Sequence, residues 1–270
     1  MSKMSAAKFY CVATSTGALG KNKGCGKAPA FLSELFGARA SAFRLAGNDL
    51  FEQQKLVFRQ AKKAFSSSGK KRVVFFGGTH DITCQLFRAF AARHENASLV
   101  VLDAHADCDH GILSMPSHED WLRALIENKI VPAERVMLFG ARKIFPSEKK
   151  FLENSGICRA NSISALRGFI HKNKNVYFSF DVDVLDPKIM PSTHYLESRG
   201  IGLEGAKRIA GMLLSSASVK AVDIVEFNPL KAQKKSSETL LAVFKGLCRN
   251  NVARIECDQK QKVGRIPQRD

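Results

Sequence analysis

The chain has 270 residues, of which 45% are hydrophobic and 25% are charged, the balance of a globular protein that can bury a sizeable core. Its 42 lysines and arginines outnumber its 25 acids and give a net charge of +17. These basic residues are scattered, and they are not interleaved with aromatic residues as in a groove for single-stranded nucleic acid. No apolar run approaches the roughly 18 residues of a membrane span, so we expect neither a nucleic-acid partner nor a membrane partner.

The cysteine pattern points to a reducing compartment. The seven cysteines are odd in number and no pair has the CxxC spacing of a structural zinc site, so a disulfide framework is not expected. Residues 1–9 lack the long apolar core of a secretory signal. We therefore expect a cytoplasmic protein with reduced thiols.

Short apolar runs rich in β-forming residues alternate along the chain with longer segments of helical periodicity. The short runs predict strands at Phe9–Ala13, Arg72–Phe76, Ser98–Leu102, Arg135–Phe139, Asn175–Phe180, Val219–Val225 and Val252–Glu256. The longer segments predict helices at Leu50–Ala64, Ile82–Ala92, His118–Glu127 and Leu203–Leu214. The alternation predicts an α/β protein of three layers, with helices on both faces of a central, mostly parallel sheet.

The chain shows the organisation of a single unit. Residues 1–270 contain no internal repeat and no domain linker, so we expect one domain. Gly17–Lys27 and Pro187–Arg199 are predicted to be loops, and the polar stretch Asp258–Asp270 is predicted to be a flexible tail.

Polar residues follow three of the predicted strands, at the ends where ligands bind in open α/β sheets. After the strand that ends at Phe76, a Gly77-Gly78 turn leads to Thr79 and His80. A histidine at such a position is more often a hydrogen-bonding loop residue than a metal ligand. This first block alone is therefore weak evidence for a metal site.

The second block contains Asp103, His105 and Asp107, directly after the strand Ser98–Leu102. On an extended chain their i, i+2, i+4 spacing places the three side chains on one side. Two carboxylates and an imidazole held together without a cation would be destabilised by repulsion and desolvation. The alternative interpretation is a solvated acidic turn.

The third block repeats the i, i+2 spacing of carboxylates with Asp181 and Asp183, and Asp186-Pro187 then ends it in a sharp turn. For this block alone, a capping or turn cluster is the alternative. Together the three strand ends offer four carboxylates and two imidazoles, and no cysteine. Four negative charges balance two divalent cations, and a two-metal site activates water and orients an electrophile.

These segments resemble, in order, the three signature blocks of the ureohydrolase family, which includes arginase, agmatinase and formiminoglutamase. The matching blocks are Gly77–His80, Asp103–Asp107 and Ser179–Pro187, and a fourth match is Asp223–Pro229. The resemblance covers residues 70 to 230 well. It implies one arginase-like catalytic domain that assembles into trimers or hexamers.

The resemblance also implies a cofactor of two Mn²⁺ ions per subunit. One ion would be held by His80, Asp103, Asp107 and Asp181, and the other by Asp103, His105, Asp181 and Asp183. Asp103 and Asp181 would bridge the ions. A hydroxide between the ions would attack the guanidino carbon, and the resulting tetrahedral intermediate would collapse to urea and an amine.

Further roles follow from the same resemblance. Glu226 would pair with the substrate's guanidinium, a planar cation that suits a carboxylate, although a plain charge at a strand end is the alternative. His118 would shuttle protons, a task that suits a histidine near its unperturbed pKa, and His110 is the competing position. Asp107 is counted among the catalytic residues as well as among the metal ligands.

The stretch Ser192–Gly200 departs from the family's usual Gly-Thr-Gly-Thr-Pro-Glu-Pro-Gly-Gly run, which indicates a remodelled substrate pocket. In this stretch we expect Thr193, His194 and Arg199 to bind the substrate. The family's arginine-reading loop is missing around Asp109–Ser114, so agmatine is our first choice among small guanidino or amidine substrates. Arginine, a guanidino acid and formiminoglutamate are alternatives, as is a non-catalytic binding or scaffold protein of the same fold.

Overall fold

The computed structural model describes residues 7–231 and 234–247, so the predicted strand Val252–Glu256 and the predicted tail 258–270 lie outside the described residues. Within them, one sheet contains β1 Lys8–Val12, β2 Ala40–Ala42, β3 Val73–Gly77, β4 Ser98–Leu102, β5 Val136–Phe139, β6 Cys158–Ala160, β7 Val176–Asp181 and β8 Val219–Val225. The strand order is β2-β1-β3-β8-β7-β4-β5-β6, and every neighbouring pair is parallel.

Helices connect these strands and cover both faces of the sheet. They are α1 Ala28–Leu35, α2 Leu50–Ser68, α3 Ile82–Ala91, α4 Trp121–Glu127, α5 Pro146–Ser155, α6 Ile163–Lys172, α7 Leu203–Ser215 and α8 Lys234–Val243. Helix α2 begins where the Asp49 side chain accepts a hydrogen bond from the backbone N–H of Glu52, and Ser162 caps α6 in the same way. None of the described helices combines the length and the apolar character needed to cross a bilayer.

Two apolar cores fill the space between the sheet and its helices. One core contains side chains of α1, α6, α7 and α8, including Leu32, Leu166, Ile209 and Leu240. The other contains side chains of α2, α3, α4 and α5, including Val57, Leu86, Leu125 and Leu152. Every residue of β3, β4 and β7 is buried, as expected for strands that are covered on both faces. The predicted three-layer α/β/α class is therefore confirmed, with a sheet that is parallel throughout.

Some elements differ from the predictions made from the sequence. The edge strands β2 and β6 were not predicted, because each has three residues and neither forms a continuous buried apolar run. The helix predicted from His118 begins later, at Trp121. The preceding turn is fixed by Asp120, whose Oδ1 accepts hydrogen bonds from the N–H and the hydroxyl of Ser117.

The strand order explains where the polar blocks of the sequence meet. Strands β3, β8, β7 and β4 are consecutive neighbours, so their carboxyl ends form the middle of one edge of the sheet. The segments at these ends carry His80, Glu226, Asp181 and Asp103, respectively. The sheet thus brings together residues that are separated by up to about half of the chain.

Candidate metal centre

The six predicted metal ligands come together at this edge of the sheet. Within the described residues they form two overlapping groups with ligand atoms close enough to share an ion, namely His80, Asp103 and Asp107, and Asp103, His105 and Asp183. Asp103 belongs to both groups. Asp181, the sixth predicted ligand, lies against His80.

The first group is centred on Nδ1 of His80. This atom lies 3.0 Å from Asp103 Oδ2, 3.1 Å from Asp107 Oδ2 and 3.3 Å from Asp181 Oδ2. His80 is 1% exposed, and its Nδ1 makes no hydrogen bond with any of the described residues. A buried ring nitrogen that faces three carboxylates without a hydrogen bond is suited to metal coordination.

The other ring nitrogen of His80 fixes the tautomer. Nε2 lies 2.9 Å from Ser179 Oγ, and the Ser179 hydroxyl donates to Asp223 Oδ1 at 2.6 Å. Because the hydroxyl proton is directed at Asp223, Ser179 Oγ accepts the proton of Nε2. In the neutral ring, the form that can bind a metal ion, the lone pair of His80 is then on Nδ1, the nitrogen that faces the three carboxylates.

The second group is centred on Nδ1 of His105. This atom lies 2.9 Å from Asp183 Oδ2 and 3.5 Å from Asp103 Oδ1. Backbone N–H groups orient the acids: those of Ala104 and His105 donate to Asp183 and Asp103, at 3.0 and 2.7 Å. The N–H of Asp183 donates to Asp181 at 2.8 Å. The turn geometry after each strand therefore directs the carboxylates towards one another.

The pKa values of the clustered groups are shifted because several carboxylates are buried close together. Burial, followed by the charges of Asp183 and Asp103, raises the pKa of Asp181 well above its usual range. Burial disfavours the protonated ring of His80, but contact with Asp103 and the neighbouring carboxylates outweighs it and raises the pKa of His80. Protons thus offset the repulsion within the cluster, and a pair of divalent cations could replace them.

A cavity of about 360 Å³ opens onto the two groups. Its lining includes His80, His105, Asp107, Asp181 and Asp183, and also Lys21, Asp109, His118, Glu119, Phe145, Glu148, His194, Tyr195 and Glu226. The metal-binding groups therefore face a space large enough for a small molecule, and further carboxylates and imidazoles, Glu226 and His118 among them, face the same space.

Glu226 is fixed in this wall by two hydrogen bonds. Its Oε1 accepts from the N–H of His80 at 2.7 Å, and its Oε2 accepts from Nδ2 of Asn22 at 2.7 Å. Burial raises the pKa of Glu226 to about 7, while the hydrogen bonds from Asn22 and His80 act in the opposite direction. Glu226 also has a φ of 62°, a left-handed conformation that is uncommon for a residue with a side chain.

The imidazole of His118 lies beside the ring of Tyr195, with 5.8 Å between the two ring centroids, and it is 5% exposed. Its Nε2 makes no hydrogen bond with the described residues. Burial lowers the pKa of His118 to about 4, with Glu119 opposing this shift and Lys21 adding to it. His118 is therefore neutral at pH 7, and its pKa is not near the unperturbed value on which the predicted proton-shuttle role was based.

Comparison with known proteins identifies the family. The model of the arginase family matches residues 40–247. The chain belongs to the arginase family. An arginase of Schizosaccharomyces pombe is 26% identical over 227 residues, which cover 72% of this chain and 69% of the relative. An agmatinase of Halalkalibacterium halodurans is 30% identical over 182 residues, which cover 65% of this chain and 62% of the relative.

Solved structures share the fold of this arginase-family protein. The formimidoylglutamase of Bacillus subtilis superposes with a TM-score of 0.82 at 14% identity, covering 90% of this chain and 85% of that chain. The arginase of Entamoeba histolytica gives 0.79 at 19% identity, covering 92% and 99%.

The predicted substrate-binding residues of this arginase-family protein are only partly brought together. His194 lines the cavity, whereas Thr193 is 1% exposed and does not line it. Arg199 lines a different cavity, together with Arg142 and Arg159, and the competing His110 is exposed outside the metal-facing cavity.

Some residues that line the cavity, or that bond to its lining, were not singled out from the sequence. Lys21 contacts Glu119, and Asn22 contacts Glu226, although these pairs are 98 and 204 positions apart. Trp121 donates from Nε1 to Asp107 at 2.6 Å. The run of glycines and lysines in Gly17–Lys27 was the available signal for the first two residues, but it indicated only a loop.

Proposed function

We propose that this protein is a binuclear manganese hydrolase that cleaves a C–N bond of a linear guanidino or amidine compound, with agmatine as the first candidate. The observation that carries the proposal is the pair of overlapping ligand groups that share Asp103 and open into the same cavity as Glu226. The names of the relatives, arginase and agmatinase among the sequences and formimidoylglutamase among the structures, support this reaction class.

The donor set fits two divalent ions of the hard or borderline kind, since it consists of carboxylates and imidazoles without a thiolate. One ion would be held by His80, Asp103, Asp107 and Asp181, and the other by Asp103, His105, Asp181 and Asp183. When bound, such ions activate water and polarise the electrophile. The unpartnered Nδ1 of His80 is the observation of this structure that supports the assignment.

Glu226 would bind and orient the planar cationic end of the substrate. Each oxygen of its carboxylate accepts one hydrogen bond from the protein, so each retains a lone pair for an N–H of a guanidinium. A fork of two parallel hydrogen bonds would fix the plane of the substrate in front of the metal-binding groups. His118, neutral and with a free Nε2, would take up a proton during turnover.

The charges at the cavity wall favour a substrate with a cationic tail. Lys21 is paired with Glu119, so its charge is neutralised. Asp109 also lines the cavity and forms no ion pair within residues 7–231 and 234–247. An uncompensated carboxylate suits the ammonium of agmatine better than the carboxylate of arginine, a guanidino acid or formiminoglutamate. These compounds are the alternatives, together with a non-catalytic binding role.

We further propose a cytoplasmic trimer or hexamer. The five described cysteines, Cys11, Cys25, Cys84, Cys108 and Cys158, are free thiols, which supports a reducing compartment. Light scattering coupled to size-exclusion chromatography tests the assembly, and a monomeric mass would contradict it.

The reaction is tested by offering the manganese-loaded protein agmatine, arginine, guanidinobutyrate, guanidinopropionate and formiminoglutamate, and by measuring urea and formamide. We expect urea from agmatine, with none from Asp183→Ala. Formamide without urea would assign formiminoglutamate instead. Asp109→Asn should raise the KM for agmatine about tenfold, the cost of one charged contact, without a similar change for guanidinobutyrate. No turnover and no bound metal would favour the non-catalytic alternative.

A further inference from the structure

The loop Gly17–Lys27 contacts the wall of the cavity at several points. The carbonyl of Gly17 accepts a hydrogen bond from the N–H of His118 at 3.2 Å. Lys21 pairs with Glu119, and Asn22 bonds Glu226. The whole loop precedes strand β2, and the family match begins only at residue 40. The loop therefore contacts residues proposed to act on the substrate, although it lies outside the matched region.

Within the loop, Asn22 has the closest connection to the chemistry. It is 1% exposed, and its Nδ2 donates to Glu226 Oε2 at 2.7 Å and lies 3.5 Å from the carbonyl oxygen of Glu226. The main chain of Glu226 is held by its N–H, which donates to the carbonyl of Gly78 at 2.8 Å. Its carboxylate is held separately, by Asn22 and by the N–H of His80. Asn22 thus determines where the second oxygen of Glu226 points.

A second amide supports Asn22. Nδ2 of Asn228 donates to Oδ1 of Asn22 at 2.9 Å, so the Asn22 amide is oriented with its N–H groups towards Glu226. A Cβ atom at Gly24 would lie 2.1 Å from Oδ1 of Asn228. Only glycine therefore allows the loop to approach Asn228 this closely. The chain Asn228–Asn22–Glu226 is buried along its whole length.

We propose that Asn22 is a positioning residue that holds the Glu226 carboxylate in the plane needed to bind a guanidinium or amidine group. The inference rests on the proposed function, because it gives Glu226 a cationic planar ligand. Without Asn22, the side chain of Glu226 would keep only the bond from His80 and would rotate about it. The fork of two hydrogen bonds to the substrate would then lose its fixed direction.

The first test compares kcat/KM for agmatine in the manganese-loaded full chain and its variants. We expect Asn22→Ala to lower kcat/KM about ten- to a hundredfold, the range for partners that orient a functional group. Asn22→Asp, of the same size, should lose at least as much because it replaces a donor by an acceptor. The control Asn173→Ala removes hydrogen bonds with Ser98 and Phe169 near the amino end of β7, and it should leave kcat/KM unchanged.

A double-mutant cycle separates positioning from general damage. If Asn22 acts through Glu226, Asn22→Ala should change kcat/KM by less than about twofold in a Glu226→Gln background, because the two residues work as a unit. A purely structural role would make the two losses multiply. Multiplicative losses, or an Asn22→Ala variant as active as the wild type, would overturn the inference and leave the proposed function standing.

Binding of guanidinium chloride provides a readout that does not need turnover. It is followed by NMR titration of the protein loaded with zinc, because manganese is paramagnetic and broadens the signals. We expect Asn22→Ala and Glu226→Gln to bind guanidinium about tenfold more weakly than the wild type and Asn173→Ala, the loss of one charged hydrogen bond. Equal binding by the wild type and Asn22→Ala would overturn the inference, as would a wild type that binds no guanidinium. Guanidinium binding without turnover of any offered compound would count against the proposed function alone.

Discussion

Trp121 Nε1 donates a 2.6 Å hydrogen bond to Asp107 Oδ2, the same oxygen that lies 3.1 Å from Nδ1 of His80. Asp107 has a left-handed backbone with a φ of 49°, and its carbonyl accepts from the N–H of Leu122. The first turn of α4 therefore holds both the main chain and the side chain of Asp107. A fully buried indole fixes the direction in which this carboxylate can bind a metal ion.

Replacing Trp121 by phenylalanine removes this donor and keeps an aromatic ring in the core. We expect Trp121→Phe to lower the affinity for the manganese ion nearest His80 about ten- to a hundredfold, since residues that hydrogen-bond to metal ligands have effects of this size. Competition with a chelator, followed by metal analysis, measures the affinity. Phe65→Leu, a core substitution in α2, serves as the control, and equal manganese retention by Trp121→Phe and wild type would contradict the prediction.

Manganese should stabilise the folded protein. At a concentration of about 100 times its dissociation constant, a bound ion contributes about 2.7 kcal/mol, which corresponds to a rise in Tm of about 5–10 °C for a domain of this size. The expected rise disappears in Asp103→Asn, because Asp103 belongs to both ligand groups. Differential scanning calorimetry measures the shift, and Glu204→Gln on the exposed side of α7 should retain it. A full shift in Asp103→Asn is the contrary result.

The glycine after β3 is required by close backbone packing. A Cβ atom at Gly78 would lie 1.8 Å from the carbonyl oxygen of Thr14, so Gly78→Ala should lower the free energy of unfolding by about 1–3 kcal/mol. A Cβ atom at Gly168 in α6 would have no neighbour within 4 Å, and Gly168→Ala should raise the stability by about 0.5–1 kcal/mol. Urea denaturation measures the free energy of unfolding of both variants. Changes of the same sign in Gly78→Ala and Gly168→Ala would contradict this account of the packing.

The buried His118 should make the stability depend on pH. Its pKa is lowered to about 4 by burial, whereas a histidine of the unfolded chain titrates near pH 6.5. Between these values the unfolded state binds the proton first, so this group's contribution to the free energy of unfolding is lost as the pH falls from 6.5 to 4. Its slope is at most about 1.4 kcal/mol per pH unit.

The contribution of His118 is obtained as the difference between the metal-free wild type and His118→Gln, measured by urea denaturation from about pH 4.5 to 7, the range between the two pKa values. The variant lacks the titrating ring, so its stability should change less steeply over this range. Parallel curves for the two proteins would show that the His118 pKa is not lowered.

The central part of the fold could be predicted because its strands are buried on both faces. The bounds of Ser98–Leu102 and Val219–Val225 agree with those predicted, and His80, Asp103 and Asp181 follow strands that were recognised as continuous apolar runs. The edge strands lack this signal, as β2 and β6 have three residues each and are only partly buried. Local pattern therefore identifies the middle of the sheet better than its edges.

The residues of the cavity wall were harder to predict from the sequence than the metal ligands. Asn22 follows β1 and Glu226 follows β8, and they meet because both strands pair with β3, long-range pairings with no signature in the local sequence. Conversely, Arg199 was grouped with His194 because they are close in sequence, but the chain turns between them and directs them to different cavities. Metal ligands come in short spaced motifs, whereas substrate contacts depend on how distant loops meet.

Urea release from agmatine, measured while manganese is added to the metal-free protein, tests the central claim most directly. For a binuclear hydrolase, we expect the rate of urea release to rise with added manganese and to reach its plateau at two equivalents per chain. Two equivalents correspond to the two overlapping ligand groups that share Asp103. A plateau at one equivalent would contradict the two-metal centre. The absence of urea at every manganese concentration, with two ions bound, would contradict the assignment of agmatine hydrolysis to this site.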